Sequence, residues 1–210
     1  AVLVFSIAGF AVFTNYDSLD PETQAALTLG DNASSRGQSS TARSAYETAC
    51  DGGVDRACLE LAYLEYKGRG GVMLKTRAQT RAKLHMKAVK EACESDGDVN
   101  CVILGHIYES GIGVTQDEAQ AATLYRKACD GGSMRGCKSL GVMYFNGTGV
   151  TRDKAKAATL YRKACDGGDM LGCNNLGVMY DDGTGVTRDK SYASKLFKKA
   201  CAAGFSAACK

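Results

Sequence analysis

Ten cysteines stand in the chain as five pairs, each with seven residues between its members: Cys50/Cys58, Cys93/Cys101, Cys129/Cys137, Cys165/Cys173 and Cys201/Cys209. The first members of the last four pairs recur every 36 residues, the first interval is 43, and no cysteine lies outside the lattice. Repetition at such a period describes a stack of equivalent units, each burying its apolar face on its neighbours, rather than one closed core. Aligned on the cysteines, residues 119–137 (AQAATLYRKACDGGSMRGC) and 155–173 (AKAATLYRKACDGGDMLGC) are near copies, and 191–209 is a looser one.

Each unit reads as two helices. In one, Leu160, Tyr161, Ala164 and Cys165 recur at the spacing of a single helix face. The residue four before the first cysteine is a large apolar plug in every unit: Tyr46, Val89, Tyr125, Tyr161 or Phe197. The residue just before that cysteine is always alanine. The other helix runs through Cys137, Leu140, Gly141, Met143 and Tyr144. A glycine inside a helix costs roughly 1 kcal/mol against alanine, so its repetition at Gly177 signals a close helix crossing. Gly147 suits a left-handed helix cap, and Thr151 or Asp153 offers the oxygen that starts the next helix.

Four full helix pairs fit between residues 54 and 203, flanked by half units at 41–51 and 205–210. The seven extra residues of the first interval fall around Gly70–Lys83. Asp20-Pro21-Glu22 starts a short helix expected to end near Gly30, and residues 31–40 (DNASSRGQSS) read as a linker. Residues 1–13 (AVLVFSIAGFAVF) are shorter than the ~20 residues of a membrane span. They fit the core of a secretion signal or signal anchor, the alternative being a segment packed on the first helices. The chain is therefore expected to comprise an N-terminal segment with linker, 1–40, and a repeat array, 41–210. Contact with a membrane is expected only through the N-terminal segment.

The two cysteines of a pair flank a tight turn between antiparallel helices. Residues equidistant from such a turn face each other, so five disulfides are expected, one per unit. Buried free thiols and zinc sites are the weaker readings. Zinc favours closer cysteine spacings and four ligands, and the chain has two histidines. Disulfides imply an oxidising compartment, periplasmic or extracellular.

These residues resemble the Sel1-like repeat family, relatives of the tetratricopeptide repeats, over residues ~41–210. The matching motif is L-G-x-x-Y-x-x-G-x-G-V-x-x-D-x-x-K-A, here Leu140 to Ala155, followed by Y-x-K-A at Tyr161 to Ala164. The paired cysteines are similar to the cysteine-rich branch typified by the Helicobacter cysteine-rich proteins. The resemblance implies an all-α, right-handed α/α superhelix that binds proteins or peptides on its concave face. It also carries two narrower expectations: an immunity protein against a secreted toxin, or weak penicillin-binding or β-lactam-hydrolysing activity.

No Ser-x-x-Lys occurs in the chain, and no acid–serine–histidine set is suggested by spacing, so no catalytic residue is assigned. No metal or other cofactor is called for. With 26 basic and 23 acidic residues the net charge is +3, which argues against nucleic acid. Positions that vary among units are free to encode a binding surface: the two residues after the second cysteine and the middle x of L-G-x-x-Y. They are Leu59, Glu60 and Tyr63; Val102, Ile103 and His106; Lys138, Ser139 and Val142; Asn174, Asn175 and Val178. Tyr63, His106, Lys138, Ser139, Val142, Asn174, Asn175 and Val178 are taken as partner-binding, with the two asparagines foremost because an amide both donates and accepts. His106 stands where Val142 and Val178 occur, so a plain polar substitution is its other reading. His85 reads as a solvated residue, as do the basic runs of the second helices. The expected species is a monomer that holds a protein or peptide.

Overall fold

A computed structural model describes residues 19–96, 99–205 and 208–209; the N-terminal apolar segment lies outside them. Ten helices and no strand occur among the described residues. They are α1 (Pro21–Ser35), α2 (Ser39–Asp51), α3 (Asp55–Lys67), α4 (Lys75–Asp96), α5 (Val99–Ser110), α6 (Glu118–Asp130), α7 (Met134–Asn146), α8 (Lys154–Asp166), α9 (Met170–Asp182) and α10 (Lys190–Ala202). Consecutive helices pack as antiparallel hairpins. The odd-numbered helices also touch one another, α3 on α5 and α5 on α7, so they form the inner layer of a curved stack.

Local chemistry explains the boundaries. Asp117, Asp153 and Asp189 each accept a hydrogen bond from the backbone N–H three residues on and so cap α6, α8 and α10. Ser133 and Asp169 do the same for α7 and α9. Gly147 and Gly183 close the inner helices in the left-handed conformation, φ 79° and 71°.

All five cysteine pairs are disulfides, in the pairing expected from the turns. Cα–Cα separations are 4.7 Å for Cys50–Cys58, 4.8 Å for Cys93–Cys101 and 4.5 Å for Cys129–Cys137. They are 4.4 Å for Cys165–Cys173 and 5.0 Å for Cys201–Cys209. The second members Cys101, Cys137 and Cys173 have no exposed surface. Each lies in the first turn of an inner helix, where the staple draws it against the preceding outer helix. Cys101 joins the core around Tyr125, and Cys173 joins the one around Tyr161.

Inside each hairpin the plug sits against a missing side chain. A methyl group added at Gly141 would lie 2.7 Å from the Tyr161 ring, and one at Gly177 would lie 2.7 Å from Phe197. The same relation holds for Gly30 and Tyr46, again at 2.7 Å. That contact corrects the expected domain boundary. Leu29-Gly30 is the Leu-Gly of a further unit, and α1 packs on α2 as a complete hairpin. The helix runs on to Ser35 instead of stopping near Gly30, and α2 begins at Ser39, so only residues 36–38 of the expected linker lie outside a helix. The polar character of residues 31–35 comes from where they face, toward a buried arginine and a groove, rather than from flexibility.

The seven extra residues of the first interval lengthen a helix: α4 has 22 residues against 13 in α6, α8 and α10. The outward basic runs include ties between units. Lys163 and Lys199 each donate to the carbonyl of the first cysteine in the preceding unit, both at 3.0 Å, where a cation also meets the negative end of a helix.

Candidate functional site

The inner helices enclose a groove of about 510 Å³. Its wall is a ladder of corresponding positions. Tyr63, His106 and Val142 occupy the middle x of the repeated motif on α3, α5 and α7, and all three line the groove. Tyr63 and His106 stack with ring centroids 4.6 Å apart and planes inclined by 15°. Tyr125, the plug of that unit, makes an edge-type contact with the imidazole, with ring centroids 5.4 Å apart. Ser139 Oγ lies 3.5 Å from His106 Nε2.

Behind this ladder lies a buried charge network. Asp31 on α1 takes a bidentate pair of hydrogen bonds from Arg56, both 2.9 Å, and a third from the Tyr46 hydroxyl at 2.8 Å. Arg135 on α7 crosses the concave side to donate to Glu60 on α3 at 2.8 Å, and lies 3.9 Å from Asp31. Glu60 is 1% exposed. Burial raises the Asp31 carboxyl, but hydrogen bonding and charge from Arg56 outweigh it and hold the group below its ordinary value. One side chain thus ties the inner helix α7 to both α1 and α3.

The remaining groove polar groups are not neutralised in this way. Burial pushes His106 well below the ordinary histidine value, helped by the positive charges of Arg135, Lys138, Arg69 and Lys67. The imidazole is therefore neutral, and its Nδ1 has no hydrogen-bond partner. Burial also lowers Lys138, with Arg135 and Arg69 acting in the same direction against Asp169. Among the described residues no carboxylate comes within ion-pair distance of the Lys138 ammonium. Asp169 uses Oδ1 to cap α9, leaving Oδ2 buried and partnerless. Leaving such an atom unmet costs roughly 1–3 kcal/mol.

The predicted partner-binding residues divide by where they face. Tyr63, His106, Lys138, Ser139, Val142 and Asn175 line the groove together. Asn174 and Val178 are not part of its lining. Val178 is instead exposed. Leu59, Val102 and Ile103 are wholly buried, filling the core between units rather than meeting a partner. The cysteines stand apart from the groove as well. Cys101 and Cys173, on the inner helices α5 and α9, are buried at 0% exposure and are absent from its lining, so a ligand there meets no sulfur. His85 is not simply solvated: its Nδ1 is 2.6 Å from Asp55 Oδ1. Arg135 and Asp31 were missed, although the column two before the second cysteine (Arg56, Val99, Arg135, Leu171) varies among units and carries the needed signal.

The Sel1 repeat model matches residues 55–74, 101–133, 136–169 and 171–205, more than half of the chain. The chain belongs to the Sel1 repeat family. It is similar to a protective antigen of uropathogenic Escherichia coli with an SLR fold, at 33% identity and a TM-score of 0.57 over 89% of this chain and 39% of that one. The chain thus spans about two fifths of the length of that protein. Cysteine-rich protein B of Helicobacter pylori shares 34% identity over 62% of this chain and 94% of its own, with a TM-score of 0.51. A Sel1 repeat protein of Oxalobacter formigenes shares the fold, at 24% identity and a TM-score of 0.58 over 80% and 64% of the two chains. No curated protein matches the chain. Sel1 repeats are protein–protein interaction scaffolds, and the five disulfides are compatible with an oxidising compartment. No helix among the described residues is long and apolar enough to cross a membrane.

Proposed function

We propose that this Sel1 repeat protein is an exported scaffold that holds a peptide segment of a partner protein in its concave groove, with a carboxylate of that segment seated on Lys138 and His106. The observation that carries this reading is a pair of buried polar atoms without partners, His106 Nδ1 and Asp169 Oδ2, on a wall that also carries the Lys138 ammonium. A neutral imidazole and an ammonium in a positive field suit a carboxylate, and Asp169 Oδ2 suits a backbone N–H of the same segment. The Tyr63–His106 stack supplies a rigid apolar floor. A secreted toxin neutralised by this protein is one partner of that kind.

Selection from a random peptide library on the oxidised protein tests the reading. Enriched peptides should contain an acidic residue, and Lys138→Ala should weaken them about tenfold or more, the scale of a charge-assisted hydrogen bond of roughly 1.5–3 kcal/mol. Enrichment without acidic residues, or binding unchanged by Lys138→Ala, contradicts it.

The Ser139–His106 contact is the feature that favours a second reading, weak β-lactam hydrolysis with serine as nucleophile. Its 3.5 Å length exceeds the ~2.6–3.2 Å of a working nucleophile–base pair, and no group orients His106 through Nδ1. Turnover of a chromogenic cephalosporin abolished by Ser139→Ala would establish it; turnover that survives would leave it without a site.

A further inference from the structure

The five staples differ in their surroundings. In Cys93–Cys101, Cys129–Cys137 and Cys165–Cys173 both cysteines are buried, at 2% exposure or less. In the first staple, Cys58 is buried but Cys50, at the C-terminal end of α2, is half-exposed. Two residues of the long helix α4, one turn apart, converge on that pair. The Arg81 guanidinium lies 3.0 Å from Cys50 Sγ. A ring nitrogen of His85 and both sulfurs lie within 4.8 Å of one another. Asp55, at the start of α3, engages His85 Nδ1 at 2.6 Å, so Nε2 is the nitrogen left to exchange a proton with sulfur. The lysines that reach the third and fourth staples bond to main-chain carbonyls, not to sulfur.

A sulfur electrophile, a base, a carboxylate orienting that base, and a cation on the sulfur form a constellation for sulfur chemistry. We propose that Cys50–Cys58 is a thiol-exchange site that takes a low-molecular-weight thiol onto Cys50 as a mixed disulfide. His85 Nε2 accepts the proton of the incoming thiol as its sulfur attacks Cys50 Sγ, the more accessible of the two. The Cys50–Cys58 bond breaks, Cys58 leaves with the electron pair, and His85 returns the proton to it. One thiol is consumed and one is released, so no oxidant or reductant beyond that thiol is needed. Arg81 stabilises the negative charge shared by the sulfurs as the bond exchanges.

The test treats the oxidised protein with reduced glutathione, quenches samples with an alkylating agent over time, and maps each cysteine by mass spectrometry. Cys201–Cys209, half-buried at one end and exposed at the other, serves as the internal reference. Glutathione is expected on Cys50 with Cys58 alkylated. His85→Asn should slow opening of this pair by about a hundredfold, the low end of the contribution of a positioned acid–base. Cys201–Cys209 should be unaffected, and Asp55→Asn should act in the same direction. Far-UV circular dichroism of both variants checks that the fold is retained. A pair that stays closed, glutathione on Cys58 instead of Cys50, or a rate unchanged in folded His85→Asn would overturn the proposal.

Discussion

At the scale of the residue, the hairpins obey a size rule that one unit states by exception. Four units set a glycine beneath an aromatic plug: Gly30 with Tyr46, Gly105 with Tyr125, Gly141 with Tyr161 and Gly177 with Phe197. The unit of α3 and α4 has Ala62 where the glycine stands, and its plug is the smaller Val89. Gly177→Ala should destabilise by about 1–3 kcal/mol through overpacking, partly offset by the better helix propensity of alanine. Adding Phe197→Val should recover part of that loss, and a double-mutant cycle by urea unfolding should give a coupling of about 1 kcal/mol. Simple additivity would contradict the rule. The plug was legible in the sequence because it repeats, whereas the burial of His106 was not, because one polar residue in an apolar column looks like surface. That burial has a pH consequence. A base whose folded value is depressed is protonated more readily in the unfolded chain, so stability is full above the unfolded value of ~6.5 and falls as pH drops below it. His106→Val should flatten the fall in Tm between about pH 7 and 5, while an unchanged slope would place the acid sensitivity elsewhere.

At the scale of the element, α1 and α7 show what repeat spacing conceals. Helix α1 lacks the cysteines and the Tyr of its unit, so alignment on the lattice passes over it. Only Leu29-Gly30 and the tyrosine plug facing it betray the hairpin. Arg135 was overlooked for the opposite reason: it lies inside a well-matched repeat but acts at a distance of 75 residues, on Glu60. Tertiary ties of this kind have no local signature. Arg135→Met leaves the Glu60 carboxylate buried without its partner and should cost roughly 3–5 kcal/mol, with α1 and α3 losing amide protection first. Replacing both members, Arg135→Met with Glu60→Leu, should restore much of the stability, because a buried pair contributes little net once its desolvation is counted. Equal loss in the single and double variants would show that the arginine acts otherwise. By contrast, the caps at Asp153 and Asp189 and the left-handed Gly147 and Gly183 were readable directly, since capping needs only neighbours in sequence.

At the scale of the whole molecule, the core is a chain of clusters passed from hairpin to hairpin, with four of the disulfides stapling successive hairpins together. Such a stack holds its curvature through nearest-neighbour contacts, and the Arg135 tie fixes the spacing across the inner side. The lattice made the stack legible and separated repeating from varying positions. It did not separate varying core positions, such as Leu59 and Ile103, from varying groove positions, because both differ between units. The central claim is that a partner peptide lies in the groove beside Lys138. A photo-cross-linking amino acid placed at Val142, inside the groove, should capture a selected acidic peptide, and one at the exposed Leu84 of α4 should not. Capture at Val142 lost on Lys138→Ala is the predicted result; equal capture at Leu84, or capture at Val142 indifferent to Lys138→Ala, would contradict it.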